Sequence, residues 1–257
     1  MTASIATGPR HTLAQLGWLN AALYWLGRAL AMASGGRWAL HRYRFVAQYV
    51  ADAPRGRAAA RGADILIRPH LPDEPLPDGY PRPEPVLRAR FAQGARSLSA
   101  WRNGRLAGFL WLVPHAYQED EVRARYRLAS LHSVWDFDVW VHPDERLGWV
   151  FPRLWEAART QLREHGVRWS CSRISAFNPA SLRAHARIGI VPLGEALFVR
   201  CGHWQWMFAT LAPYFHLSRG PASFPQLMFD TGALADVDPD VTPPEQPCPP
   251  PKKSATY

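Results

Sequence analysis

Between residues 134 and 175 the chain reads strand, helix, strand, and this unit constrains the fold more than any other stretch. VWDFDVWVHP alternates large apolar residues with others and is stopped by Pro143, as a strand is. Phe151, Leu154, Trp155, Ala158 and Leu162 then recur on one helical face over residues 149–165, and Gly166 closes the helix. A second apolar run, residues 168–175, follows at once. A helix of that length between two strands predicts that the strands lie side by side and parallel.

The rest of the middle of the chain fits around this unit. Residues 97–102 and 106–113 read as a hairpin joined at Asn103-Gly104. Short strands are predicted at 44–50, 65–68, 196–200 and 204–209, a helix at 86–93, and a Pro-rich loop at 69–85. The alternation predicts a mixed sheet flanked by helices, in the α+β class.

The two ends differ from this core. Residues 12–27 hold no charge, and Leu16, Leu19, Leu23, Leu26 and Leu30 recur every three or four residues until Gly35-Gly36, with Arg37, Arg42 and Arg44 beyond. The run is shorter than the roughly 20 residues that span a bilayer. Two readings of residues 1–36 stand: an amphipathic helix at an anionic membrane surface, with Trp18, Tyr24 and Trp25 at headgroup depth, or a helix packed on its own domain or on a second subunit. A signal peptide, suggested by Arg10 and Ala31-Met32-Ala33, is disfavoured by Gln15, Asn20 and Arg28 within the segment. Residues 216–236 read as a C-terminal extension. Residues 237–257 are Pro-rich, lack apolar periodicity, and are predicted to be disordered.

Composition narrows the partners. The formal charge is +9 and almost wholly arginine, since lysine occurs only at Lys252 and Lys253. A basic chain favours anionic ligands, yet without zinc-finger spacing, basic-region helix or Lys-rich arm no nucleic acid is expected. Cys171, Cys201 and Cys248 are unpaired in spacing, which argues against a disulfide framework or a metal site and for a reducing compartment.

Two short motifs carry chemistry. In SAFNPASLRAHARIG, residues 175–189, Asn178 is followed by His185 seven residues on and Gly189 eleven residues on. In VWVHPDERLGWVFPRLW, Pro143, Arg146 and Leu154 bracket a turn that opens a helix. With the order of elements, these resemble the GNAT superfamily of N-acetyltransferases over residues 64–210. The resemblance implies a GNAT-like splayed sheet in a domain of residues 37–215, and a cytosolic N-acyltransferase, peripheral at the inner membrane if the first helix lies on lipid. Its donor would be acetyl-CoA or another acyl-CoA, its acceptor a small-molecule amine, and no metal would be needed. His185 stands where the family has a tyrosine that protonates the departing thiolate, a task imidazole also suits.

The same resemblance assigns donor binding. The amides of Val139 and Val141 would hold the pantetheine arm as an added strand. Arg146, Leu147, Gly148, Trp149, Val150 and Phe151 would form the pyrophosphate turn, where unpaired helix N–H groups attract anions. Asn178 and Ser181 would complete the donor site. Trp149 and Phe151 replace the family's usual small residues there. This departure leaves open a longer acyl chain, carried by CoA or acyl carrier protein in an aromatic tunnel, and a non-catalytic protein on a degenerate fold. The residues themselves suggest the base. Asp136 and Asp138 lie two apart in a strand and are expected on one face, where paired charges can raise one pKa. Arginines such as Arg173 are the alternative partners for both. Glu119, Asp120 and Glu121 form an acidic run in a loop, expected to be solvated.

Overall fold

A computed structural model of the protein describes residues 8–50, 61–77, 79–187 and 189–234. The predicted tail, residues 237–257, and Cys248 lie outside the described residues. The chain opens with α1 (Pro9–Ala33), β1 (Trp38–Tyr49), β2 (Ile65–His70) and α2 (Glu84–Ala92). Strands β3 (Arg96–Arg102), β4 (Arg105–Pro114), β5 (Ala116–Gln118), β6 (Arg125–Leu128) and β7 (Ser133–Val141) follow. Helix α3 (Val150–Glu164), β8 (Trp169–Ser175), α4 (Pro179–Ala186), β9 (Val191–Cys201), β10 (Trp204–Ala209), β11 (Phe215–Ser218) and β12 (Gln226–Phe229) complete it.

Among the described residues, nine strands form one sheet in the order β11-β10-β9-β1-β8-β7-β4-β3-β2. The hairpin expected at Asn103-Gly104 is present, with both residues at positive φ (50° and 75°), the handedness a two-residue turn needs to match the strand twist. Strands β7 and β8 are parallel neighbours joined through α3, as the strand–helix–strand pattern requires. Their pairing covers Ser133–Trp135 against Trp169–Cys171 and then ends, so residues 136–141 and 172–175 part. Sequence reading did not foresee the neighbour on the other side. Strand β1, from the start of the chain, pairs antiparallel with β8 and with β9.

Each face of the sheet has its own core. On one face Phe45, Phe109, Trp111, Trp135 and Phe137 meet Tyr117, Tyr126 and Phe229 of a smaller sheet, β12-β6-β5. These rings stack on one another, as in Tyr117 against Phe137 at 4.1 Å, and Trp111 and Trp135 are fully buried. The rings fill a core, because close-packed rings leave no void along their contact. On the other face Leu98, Leu110, Leu112 and Val134 receive Val150, Leu154, Trp155, Ala158 and Leu162 of α3, the stripe read from the sequence except that Val150 takes the place of Phe151, which is 41% exposed.

Helix α1 packs on β1, and only part of its leucine stripe is covered. Gly17 has non-helical angles and divides the helix. Leu16 and Ala21 are buried, Tyr24 lies against Phe177, Arg42 donates to Asn20 Oδ1 at 2.8 Å, and Gly27 abuts Leu40. Leu19 and Leu26 face solvent. Small and polar residues beside Leu16 let the helix approach the strand.

Seating α3 requires a glycine on β4. A Cβ at Gly108 would stand 2.8 Å from both Trp140 O and Val150 Cγ1. Gly108→Ala is expected to destabilise the fold by about 1–3 kcal/mol, as overpacking does, measured by chemical denaturation, and to displace the start of α3.

Candidate functional site

The parting of β7 from β8 opens a cleft at the carboxyl ends of two parallel strands, where α/β sheets present ligands. Helices α3 and α4 both begin at this end. His142 N–H donates to Ala107 O across the β4 side of β7. Amides alternate along a strand, so that of Val141, adjacent to His142, is directed to the open side.

The two aspartates expected on one face lie on opposite faces. Phe109 pairs with Trp140 but Trp111 pairs with Phe137, so two residues, 138 and 139, face Leu110 alone. This β-bulge carries Asp138 at φ 48° and turns its side chain to the aromatic face beside Phe137. There the Arg82 guanidinium clasps it from two nitrogens, and Arg90 donates at 2.6 Å. Arg90 is 4% exposed and also binds Asp120 at 2.5 Å. Burial opposes its charge, but Asp138 and Asp120 hold its pKa above the ordinary value.

Asp136 stays on the α3 face, 4% exposed, and accepts a 2.6 Å hydrogen bond from Ser170 Oγ. Burial pushes its carboxyl up to about 7, with the Ser170 bond holding it back in part. Burial and the Asp136 charge together raise the Cys171 thiol. Asp136 lies immediately beyond the last β7–β8 pair, at the vertex of the cleft.

Two of the three residues of the acidic run, Asp120 and Glu121, are exposed as expected, though both are ion-paired. Glu119 is buried and takes two hydrogen bonds from Arg173, at 2.7 and 2.9 Å, and Glu121 accepts one from Tyr43 at 2.8 Å. Arg173 projects from the parted end of β8, so these carboxylates, Asp138 and three arginines line one pocket of about 320 Å³. Sequence reading named Arg173 as a partner for the β7 aspartates; instead Arg82 and Arg90 hold Asp138, from segments 56 and 48 residues away.

Around the turn, Arg146, Leu147 and Gly148 are exposed, and Arg146 has no partner among the described residues. The Trp149 ring packs on the α3-side core beneath Arg61, 5.5 Å away, and Phe151 is directed outward. No side chain caps the N-terminus of α3. The turn also carries an acid: Glu145 accepts from Gly148 N–H at 3.0 Å through its carbonyl, while its carboxylate is held by Arg102 at 2.8 Å. At α4, Asn178 Oδ1 caps the helix by accepting from Ser181 N–H at 3.1 Å. The His185 Nδ1–H donates to Ser181 O at 2.8 Å, because a carbonyl can only accept. In the neutral ring Nε2 is then bare.

No family model matches the chain, and no curated protein matches it. Solved structures do. A conserved protein of unknown function from Staphylococcus epidermidis shares 11% identity at a TM-score of 0.41, over 67% of this chain and 66% of that one. A protein assigned as a GNAT-family acetyltransferase from Novosphingobium aromaticivorans shares 12% at 0.42, over 62% of each chain. A tandem GNAT protein from the clavulanic acid biosynthesis pathway shares 16% at 0.38, over 76% of this chain and 59% of that one. The matched part thus spans two thirds or less of each of those proteins. With β7 and β8 parallel, joined through α3 and parting at their carboxyl ends within a mixed sheet flanked by helices, the chain has an α+β fold.

Proposed function

We propose that residues 37–215 form an acyltransferase domain that moves an acyl group from an acyl-CoA thioester, most simply acetyl-CoA, to a small-molecule amine. The observation that carries this reading is the vertex of the cleft, where a buried carboxyl titrating near neutrality adjoins a strand whose Val141 amide is open. The Val139 and Val141 amides receive the pantetheine arm as an added strand. The uncapped start of α3, with the Val150 and Phe151 amides and the unpaired Arg146, receives the pyrophosphate; Leu147, Gly148 and Trp149 form the turn before it. Glu145 opposes an anion there, and Arg102 offsets it.

In direct transfer the amine nitrogen attacks the thioester carbonyl carbon and the C–S bond breaks. Asp136 takes the amine proton, directly or through water, and His185 gives a proton to the thiolate sulfur. Since Nδ1–H is committed to Ser181 O, His185 acts only from the imidazolium, through Nε2–H. Asn178 and Ser181 hold α4, and with it this ring. Asp138, occupied by two guanidinium groups, shapes the strand and is not the base. The reading that competes is a non-catalytic protein on the same fold, favoured by Trp149 and Glu145 at the turn.

Thermal shift with acetyl-CoA, longer acyl-CoAs and free CoA separates these readings, since a ligand of the folded state raises Tm by mass action. Acyl-CoA is expected to stabilise the protein and Arg146→Gln to weaken that effect; no shift with any of them supports the non-catalytic reading. With a turned-over amine, kcat/KM is expected to fall below about pH 7 as Asp136 gains a proton, and Asp136→Asn to lose about 10²-fold or more. His185→Ala is expected to lose a similar factor with donor affinity unchanged. His185→Tyr recovers part of it and moves the optimum upward, since a phenol titrates near about 10.

Stability gives a check independent of turnover. The Asp136 carboxyl is raised in the folded state, so the native protein keeps a proton that the unfolded chain releases. Its contribution is therefore lost as pH rises from about 4 to about 7. Asp136→Asn, which retains an acceptor for Ser170, is expected to be more stable than the parent above pH 7, by at most about 4 kcal/mol, and to match it near pH 4 in denaturation curves.

A further inference from the structure

The first 51 residues contain five arginines and no aspartate or glutamate. Packing of α1 on β1 uses Leu16, Ala21, Asn20, Tyr24 and Gly27, which leaves the opposite side of the helix uncovered. That side is apolar. Trp18 is 76% exposed and Met32 78%, with Trp25 and Leu26 between them and Ala22 and Ala29 completing the stripe at helical spacing. The cations at its margins, Arg10, Arg28 and Arg37, have no carboxylate partner among the described residues.

The sheet beside α1 continues the same chemistry. Leu40, under Gly27, pairs with Val199, and Val199 with Trp206; Arg42, bonded to Asn20, pairs with Leu197, and Leu197 with Phe208. Paired residues share a face, so these rows lie on the side of the sheet that α1 occupies. Phe208 and Phe215 there are half exposed, and Trp38, Trp206 and Trp204 stack in series. The acid in these rows, Glu195, is held by Arg42 and Arg44 at 2.7 and 3.1 Å. Among the described residues no helix is long and apolar enough to cross a membrane.

We propose that the outer face of α1 docks on the surface of an anionic lipid bilayer, with Trp18, Trp25, Leu26 and Met32 entering the interface and Arg10, Arg28 and Arg37 at the headgroups. Charge selects the occupant. The stripe is apolar and every unpaired charge around it is positive, so it fits a surface that is apolar within and anionic at its rim. A second copy placed on the same face would set these arginines against their counterparts, a like-charge contact that opposes association. A nucleic acid has no apolar layer to receive Leu26 and Met32.

The test uses the full chain and sedimentation with vesicles of phosphatidylcholine alone or with about one third phosphatidylglycerol. The protein is expected to partition to the phosphatidylglycerol vesicles. Trp18→Ser/Trp25→Ser/Leu26→Gln should lower that partition by about tenfold or more, because the apolar area entering the interface is lost. Arg28→Gln/Arg37→Gln should reduce the preference for phosphatidylglycerol, and added salt should do the same. Circular dichroism and Tm of both variants should match the parent, since none of these side chains is in the core. Equal vesicle binding by parent and triple variant, no binding by the parent, or a parent dimer that the triple variant converts to monomer without vesicles would each overturn the proposal. The outcome is independent of acyl transfer, because none of these residues lies in the cleft.

Discussion

The clasp of Arg82 and Arg90 on Asp138 is the interaction on which the site depends. A non-glycine residue at positive φ inside a strand costs about 1–2 kcal/mol, and charge-assisted hydrogen bonds from two guanidinium groups, one of them buried, offset it. The bulge then does three things at once. It turns Asp138 to the aromatic face, leaves Asp136 on the α3 face, and accompanies the departure of β7 from β8 immediately beyond Trp135. Two carboxylates that share a strand thereby acquire different surroundings, one ion-paired and one desolvated, which is how a fold separates a structural anion from a titrating acid.

The electrostatics of the pocket follow from the same logic. Arg173, Glu119 and Glu121 form a second ion-paired group around Tyr43, and burial of Glu119 is tolerated because Arg173 compensates it. Burial opposes the charge on Arg173, yet Glu119, Tyr43 and Glu121 hold its pKa well above the ordinary range. Arg173 and Asp138 stand on the two strands that part. The cleft is therefore flanked on both sides by fixed charge, and Asp136 at its vertex is the carboxyl that titrates near neutrality.

Strand β1 links this site to the outer face of α1. It supplies Tyr43, which donates to Glu121 of the pocket, on one side of the sheet and Leu40 and Arg42 to α1 on the other. An N-terminal segment that could have stood as a separate appendage is built into the sheet beside β8, and its apolar outer stripe is held in a fixed orientation relative to the cleft.

Local patterns determined the local structure. The Asn103-Gly104 turn, the stripe of α3, its stop at Gly166 and the Asn178 cap were legible because each depends on residues within a few positions of one another. The parallel β7–β8 pair was legible for a related reason, since a helix between two strands admits few connections. What the sequence could not determine was which distant segments meet. The place of β1 beside β8, and the arginines that hold Asp138 and Glu119, join residues 48 to 56 positions apart or more. Period-two alternation put Asp136 and Asp138 on one face; one extra residue in the β7 register, stabilised by those remote arginines, put them on two. The leucine stripe of α1 left open whether the face meets lipid or protein; close approach to β1 uses Leu16 with glycine, alanine and asparagine, while Leu19 and Leu26 face solvent. Periodicity encodes that a face is apolar, whereas only tertiary packing decides what covers it.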